Sequence, residues 1–142
     1  MRLVIDSSVF VAAFREQEQS SREAFELIKR VSSGSVTAIV PVIVIIEVMS
    51  AIRRRTGNEA LARTIGETML SWQSLSLIDI TVFRMTSVLD IAATSTLSGM
   101  DAIIVGVAQE FDVPLVTLDK EILKNGSTFA SVITPREFQK MM

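Results

Sequence analysis

The sequence predicts an α/β domain built on a mostly parallel central sheet of about five short strands flanked by helices. Two observations carry this. Short apolar, β-branched runs recur at Leu3-Val4-Ile5, Ala38-Ile39-Val40, Leu75 to Ile80, Leu115-Val116-Thr117 and Val132-Ile133, with helical periodicity between them. Runs that are apolar on both faces belong to sheets covered on both sides, and those are the parallel sheets closed by helical crossovers. A chain of 142 residues fits one domain, 1–142, with a single core.

The elements follow from local chemistry. Leu3-Val4-Ile5 reads as a buried strand and Ser7 to Phe14 as a helix, with Ser7 or Ser8 placed to cap it. Ala24, Phe25, Leu27, Ile28 and Val31 have helical spacing, which predicts a helix from about Ser20 to Val31 that Gly34 ends. After Ala38-Ile39-Val40, Pro41 suits the first position of a helix, where its missing N–H is not needed. That helix reaches Thr56, with Gly57 as its C-terminal cap and Arg53 to Arg55 in the last turn, opposing the helix dipole. Asn58 caps a helix to about Ser71, and Thr81 caps one to about Thr94. Ser98 and Asp101 stand at capping-box spacing before a helix to Phe111. A helical turn over Lys120 to Leu123 and a short helix over Pro135 to Met141 complete the chain.

Composition excludes much chemistry. There is no cysteine and no histidine, so disulfides, zinc sites on Cys or His, cysteine nucleophiles and Ser-His-Asp triads are impossible. The longest apolar run, Ala38 to Ile46, contains Pro41 and is far too short to span a membrane. The N-terminus has no signal-peptide pattern, and the expected location is the cytoplasm. A net charge of −2 argues against a polyanion partner only in the mean, because Arg53-Arg54-Arg55 and Lys29-Arg30 are local basic clusters.

Four acids stand out: Asp6, Glu47, Asp101 and Asp119. Asp6 follows the first strand and Asp119 ends the fourth, where open parallel sheets place their sites. Each has an ordinary structural reading. Asp6 and Asp119 can cap helices, and Asp101 gains dipole stabilisation in a first turn. Glu47 lies among apolar residues on nearly every helical face, so it calls for an arginine partner or for a metal or catalytic role. Jointly the four make more sense than singly. Carboxylates gathered in one crevice repel, and a divalent cation resolves the conflict while activating water without histidine. All-oxygen donors favour magnesium or manganese. Ser7, Ser8 and Thr117 can cap and pack, or orient a carboxylate, water or phosphate oxygen. Asp79, Asp90 and Asp112 read as solvated or capping residues.

The motifs resemble a known family. Val4-Ile5-Asp6-Ser7-Ser8-Val9-Phe10 resembles the opening of PIN-domain nucleases. Glu47 with Val48-Met49-Ser50-Ala51-Ile52-Arg53-Arg54 resembles their second acidic motif, and Leu97-Ser98-Gly99-Met100-Asp101-Ala102 the third. Leu115-Val116-Thr117-Leu118-Asp119 resembles the fourth, and Ile133-Thr134-Pro135-Arg136-Glu137-Phe138 the usual closing segment. The order and length are most similar to VapC-type toxins of toxin–antitoxin pairs. The resemblance implies a magnesium- or manganese-dependent endoribonuclease in which Asp6, Glu47, Asp101 and Asp119 hold the metal and the attacking water. It also implies a homodimer and a protein antitoxin. Some relatives carry a further acid near the fourth motif, where this chain has Thr117 and Leu118. Arg53, Arg54 and Arg55 are placed to follow an RNA backbone, or to stabilise a helix end.

Two other readings compete. A phospho-receiver domain is also a small parallel sheet with an acidic magnesium pocket, and Asp6, Asp79, Thr117 and Lys120 mimic its parts. It expects paired acids after the first strand and leaves Glu47 unexplained. A PIN-like fold that has lost catalysis and only binds a partner is the second.

Overall fold

The structure is a computed structural model that describes residues 1–15 and 19–142; of residues 19–21 only the backbone is described. Strands and helices run in the order β1 (Arg2–Ile5), α1 (Ser7–Ala13), α2 (Gln19–Ser32), β2 (Thr37–Pro41), α3 (Val42–Thr56), α4 (Glu59–Ser71), β3 (Leu75–Ile78), α5 (Val82–Thr94), α6 (Gly99–Phe111), β4 (Leu115–Val116), α7 (Lys120–Asn125), β5 (Val132–Ile133) and α8 (Pro135–Met141), with a 3-10 turn at Gly126–Thr128. The five strands form one parallel sheet in the order β3-β2-β1-β4-β5. Among the described residues no helix is long and apolar enough to cross a membrane.

That order settles the competition with the receiver fold, whose strands run 2-1-3-4-5. Here the chain builds outward from β1 to β2 and β3, then returns across the sheet to place β4 on the other side of β1. Right-handed crossovers in opposite directions put the helices on opposite faces. The reversal falls between β1 and β4, and it is beyond the carboxyl ends of the strands at such a point that open parallel sheets place their sites.

The core explains the short strands. Leu3, Val4, Ile5, Ala38, Val40, Leu115 and Val116 are fully buried, as a central parallel sheet requires. The predicted helix caps are present: Asn58 accepts from Leu61 N at 2.9 Å and Thr81 from Arg84 N at 3.1 Å. Gly57 takes the left-handed conformation, φ 65°, that ends α3. Thr134 and Glu137 form a complete capping box on α8.

Three local expectations are corrected. Pro41 is the last residue of β2 and the N-cap of α3, with φ −60° and ψ 142°, so the helix begins one residue later. Its extended ψ lets the strand register continue to the Pro41–Ile78 pair. The cap of α1 is Asp6 and not Ser7 or Ser8. At α6, Ser98 accepts from Asp101 N at 3.2 Å, but no capping box closes there. Aspartate is one methylene shorter than the glutamate that usually reaches back.

Helices α5 and α6 pack as an antiparallel pair through Gly106. A Cβ built there would lie 2.7 Å from Val88 Cγ2, closer than a packed core tolerates without repacking. We therefore expect Gly106→Ala to lower stability by about 1–2 kcal/mol in the wild-type background. In a Val88→Ala background the same change should be stabilising, because the space is then open and alanine is the better helix former. Thermal melts of the four proteins in this cycle check it; equal effects in both backgrounds would refute the steric account.

Candidate active site

The site draws on the ends of β1 and β4, the second turn of α3 and the starts of α6 and α7. Asp6 N donates to Val116 O at 3.0 Å, so the ladder between β1 and β4 continues up to the acid itself. Asp6 is 5% exposed, and a buried carboxylate must find its solvation within the protein. It does so through one oxygen. Oδ2 accepts from Ser8 Oγ at 2.6 Å, from Thr117 Oγ1 at 3.0 Å and from Ser8 N at 3.3 Å. Thr117 is fully buried.

The proton count of this cluster closes. Each hydroxyl has one proton, and both protons are committed to Asp6 Oδ2. Their lone pairs are then free to accept, Ser8 Oγ from Leu118 N at 3.1 Å and Thr117 Oγ1 from Asp119 N at 3.0 Å. The 3.4 Å approach of the two hydroxyls is thus a contact without a proton to share. Among the described residues no hydrogen bond reaches Asp6 Oδ1, which is left for the crevice. Asp119 divides its oxygens in the same way: Oδ1 caps α7 by accepting from Glu121 N at 2.9 Å and Ile122 N at 3.1 Å. Capping and a site role are therefore compatible, because each acid caps with one oxygen only.

Glu47 and Asp101 are half-buried. Burial pushes the Glu47 carboxyl above its usual range, and the charges of Asp6 and Asp101 push it further. Asp101 is raised by burial first and then by Asp119, Asp6 and Glu121, with the Ser98 hydroxyl acting in the opposite direction. Asp6 and Asp101 thus lie near enough to Glu47, and Asp119 and Asp6 near enough to Asp101, for their charges to disfavour ionisation of these two half-buried carboxyls. Among the described residues Glu47 has no ion-pair partner, so the arginine that would have made it structural is absent. Nor do three acids of the described chain stand close enough to chelate an ion as placed. In kind the donor set fits a hard divalent cation: it is all oxygen and anionic, and among the described residues it has no ion-pair partner.

The remaining candidates separate. Ser8 and Thr117 belong to the cluster, whereas Ser7 is a half-buried first helical residue. Arg53, Arg54 and Arg55 are exposed in the last turn of α3. Arg54 is seven residues, two turns, beyond Glu47, on the same helical stripe about 10 Å further along. Asp79, Asp90 and Asp112 are exposed. Sequence reasoning missed Glu121, whose charge acts on Asp101. Its only signal was the Asp-Lys-Glu run that opens α7.

The fold and crevice define a parallel α/β domain with a carboxylate cluster at its topological switch point. The sequence matches the family model of the PIN domain over residues 3–126, and the chain belongs to the PIN domain family. No curated protein sequence matches it. Among solved structures it is similar to VapC20 of Mycobacterium tuberculosis, a sarcin–ricin loop cleaving toxin, at 16% identity with 92% of this chain and 98% of that one covered and a TM-score of 0.73. It is also similar to VapBC2 from Rickettsia felis bound to a promoter DNA fragment, at 15% identity, 94% and 98% coverage and a TM-score of 0.69. A toxin–antitoxin complex from Klebsiella pneumoniae is similar at 20% identity, 94% and 97% coverage and a TM-score of 0.64. At these identities the likeness is one of fold.

Two outcomes follow. Thr117→Val removes a donor to Asp6 Oδ2 and the acceptor for Asp119 N, and should cost about 1–3 kcal/mol in urea unfolding; a loss below the error of the measurement would show that the network does not hold the strand ends. Glu47→Gln should act in the other direction. A carboxylate whose folded pKa is raised binds its proton more tightly in the folded than in the unfolded state, so its contribution turns unfavourable as pH rises through that window. In EDTA at neutral pH, Glu47→Gln should raise Tm by a few degrees, about 1 kcal/mol in a chain of this length. The gain should shrink as the pH is lowered into the carboxylate range. A lower Tm for the variant at neutral pH would contradict the repulsion.

Proposed function

We propose that this chain is a metal-dependent endoribonuclease acting as the toxin of a toxin–antitoxin pair, with Asp6, Glu47, Asp101 and Asp119 as its catalytic and metal-holding acids. The observation that supports the reading is that the carboxyls of Glu47 and Asp101 are half-buried and raised by that burial and by the charges of Asp6 and Asp119 in a PIN domain, with no ion-pair partner for Glu47 among the described residues. Magnesium or manganese held there would activate water and neutralise charge on a scissile phosphodiester. The chain supplies the rest. Asp6 Oδ1 and the free oxygen of Asp119 are presented by strand ends that the Ser8–Thr117 cluster fixes. Glu47 and Asp101, with pKa values raised, take up a proton or a cation more readily than surface carboxylates do. Ser7 lies beside Asp6, where its hydroxyl can meet a phosphate oxygen.

RNA is the substrate class that fits a cytoplasmic toxin of this fold. Arg54, on the stripe of Glu47, is the basic residue best placed to meet a phosphate several nucleotides from the cut, with Arg53 and Arg55 beside it. A protein antitoxin is the expected partner, by likeness to the toxin–antitoxin complex from Klebsiella pneumoniae, and a second copy of the chain is the partner that the family resemblance implies. A binding-only PIN domain is the second reading. It is disfavoured because Glu47, half-buried beside other carboxylates and without an ion-pair partner among the described residues, has no structural role that offsets its burial.

Purified protein should cut unstructured and looped RNAs in manganese or magnesium and not in EDTA. Asp6→Asn and Asp101→Asn should each reduce cutting by more than about a hundredfold. Equal cutting by the variants would assign the activity to a contaminant. Absence of both cutting and calorimetric metal binding would leave the binding-only reading.

A further inference from the structure

Asp6 and Asp119 stand at the ends of different strands, yet each has given one oxygen to the protein. Asp6 Oδ2 accepts from Ser8 Oγ at 2.6 Å, from Thr117 Oγ1 at 3.0 Å and from Ser8 N at 3.3 Å. Asp119 Oδ1 accepts from Glu121 N at 2.9 Å and from Ile122 N at 3.1 Å. A carboxylate has about four lone-pair sites over its two oxygens, so both of these oxygens are filled.

The second oxygen of each acid is free. Among the described residues no hydrogen bond reaches Asp6 Oδ1 or Asp119 Oδ2. Asp6 is more than nine-tenths buried, but its Oδ1 is not sealed in. The unpartnered side-chain oxygen that is fully enclosed, among the described residues, is Glu23 Oε2 and not this one. Oδ1 therefore keeps access to solvent. The hydroxyls that fill Oδ2 are held from behind. Thr117 is fully buried, and Ser8 Oγ and Thr117 Oγ1 accept from the amides of Leu118 and Asp119 at 3.1 and 3.0 Å. Neither hydroxyl can turn from Asp6 without breaking a bond to the end of β4.

We propose that Ser8 and Thr117 are positioning residues that set which divalent cation the site accepts: by filling Asp6 Oδ2 they restrict Asp6 to one oxygen, as the cap of α7 restricts Asp119, and so favour magnesium over calcium. The assignment rests on the reading above in which these acids hold a divalent cation. Calcium takes roughly 6–8 oxygens and often uses both oxygens of one carboxylate, whereas magnesium demands a near-octahedral shell, keeps several waters and needs only one or two carboxylates. Acids that offer one oxygen each can complete the second kind of shell with water, and they are short of ligands for the first. Repulsion among the acids does not separate the two ions, because they carry the same charge and relieve it alike. What separates them here is the number of oxygens that the hydroxyls and the helix cap leave free.

The test is competition between metals in the absence of RNA. Binding of manganese to wild type, Ser8→Ala, Thr117→Val and Thr117→Ser is followed by the electron paramagnetic resonance of the free ion, and magnesium or calcium is titrated in to displace it. Each protein yields a calcium-to-magnesium ratio of Kd values, which does not depend on the fraction of protein that is folded. Wild type should bind magnesium at least as tightly as calcium. Ser8→Ala and Thr117→Val should each shift the ratio toward calcium by about tenfold. Thr117→Ser keeps the hydroxyl and should stay within about threefold of wild type. A purely structural role would weaken both ions together and leave the ratio in place, and that result would overturn the proposal. So would tighter binding of calcium than of magnesium by wild type, or no binding of manganese. Cutting of RNA in manganese is assayed separately. A ratio that shifts as expected, with no cutting, would keep the selectivity and remove the nuclease reading. Cutting with an unshifted ratio would overturn the selectivity and keep the nuclease.

Discussion

The pairing of β1 with β4, closed by the buried carboxylate of Asp6, is the constraint on which the rest of this structure depends. Asp6 is almost fully buried, and an ionised group there survives only if the protein replaces its lost hydration. Two hydroxyls and one amide do so, all at a single oxygen. The hydroxyls come from α1 and from the end of β4, so the same bonds that solvate the charge lock the two central strands in register. They also orient the next residues, because Ser8 Oγ and Thr117 Oγ1 receive the amides of Leu118 and Asp119. Satisfying one oxygen completely is what leaves the other available to the crevice.

The acids around Asp6 are held against their own preferences. Glu47 sits in a helix whose buried residues Val44, Ile45, Val48 and Ile52 are aliphatic, and Asp101 opens a helix whose buried residues are apolar. Each element is committed to the core by several side chains and brings a carboxylate with it to the crevice. The aliphatic packing, roughly 1.5–3 kcal/mol for each large side chain fully buried, outweighs the repulsion among a few half-buried acids. Local conflict of this kind, tolerated inside an otherwise consistent fold, is the signature expected at a functional site.

Much of this was legible in the sequence, for stated reasons. The five strands were visible because a central parallel strand is apolar on both faces, and Asn58, Thr81 and Gly57 announced their helix ends through chemistry confined to a few neighbouring residues. Asp6 and Asp119 were identifiable by their position at strand ends. What was not legible depends on distance in space. Asp6, Ser7 and Ser8 all read as possible caps of α1, and the choice of Asp6 follows from the needs of a buried carboxylate, which the β1–β4 pairing reveals. Pro41 fits both a strand end and a helix start, and the pairing with Ile78 decides between them. Glu121 matters through Asp101, twenty residues earlier, and Glu23 through Arg136 on the far side of the chain. Local pattern carries no trace of the second and, for the first, only the Asp-Lys-Glu run that opens α7.

Glu23 and the crevice acids show how environment divides one functional group between two kinds of chemistry. Glu47 and Asp101 have raised pKa values and other carboxylates for neighbours, and among the described residues neither has an ion-pair partner, so what they lack is positive charge, which a cation would supply. Glu23 already has a guanidinium and a lowered pKa. Its charge is balanced, and what it lacks is a hydrogen-bond donor for one buried oxygen. The first deficit is the kind that a cation meets, whereas Arg136 already meets the charge of Glu23 from within the fold.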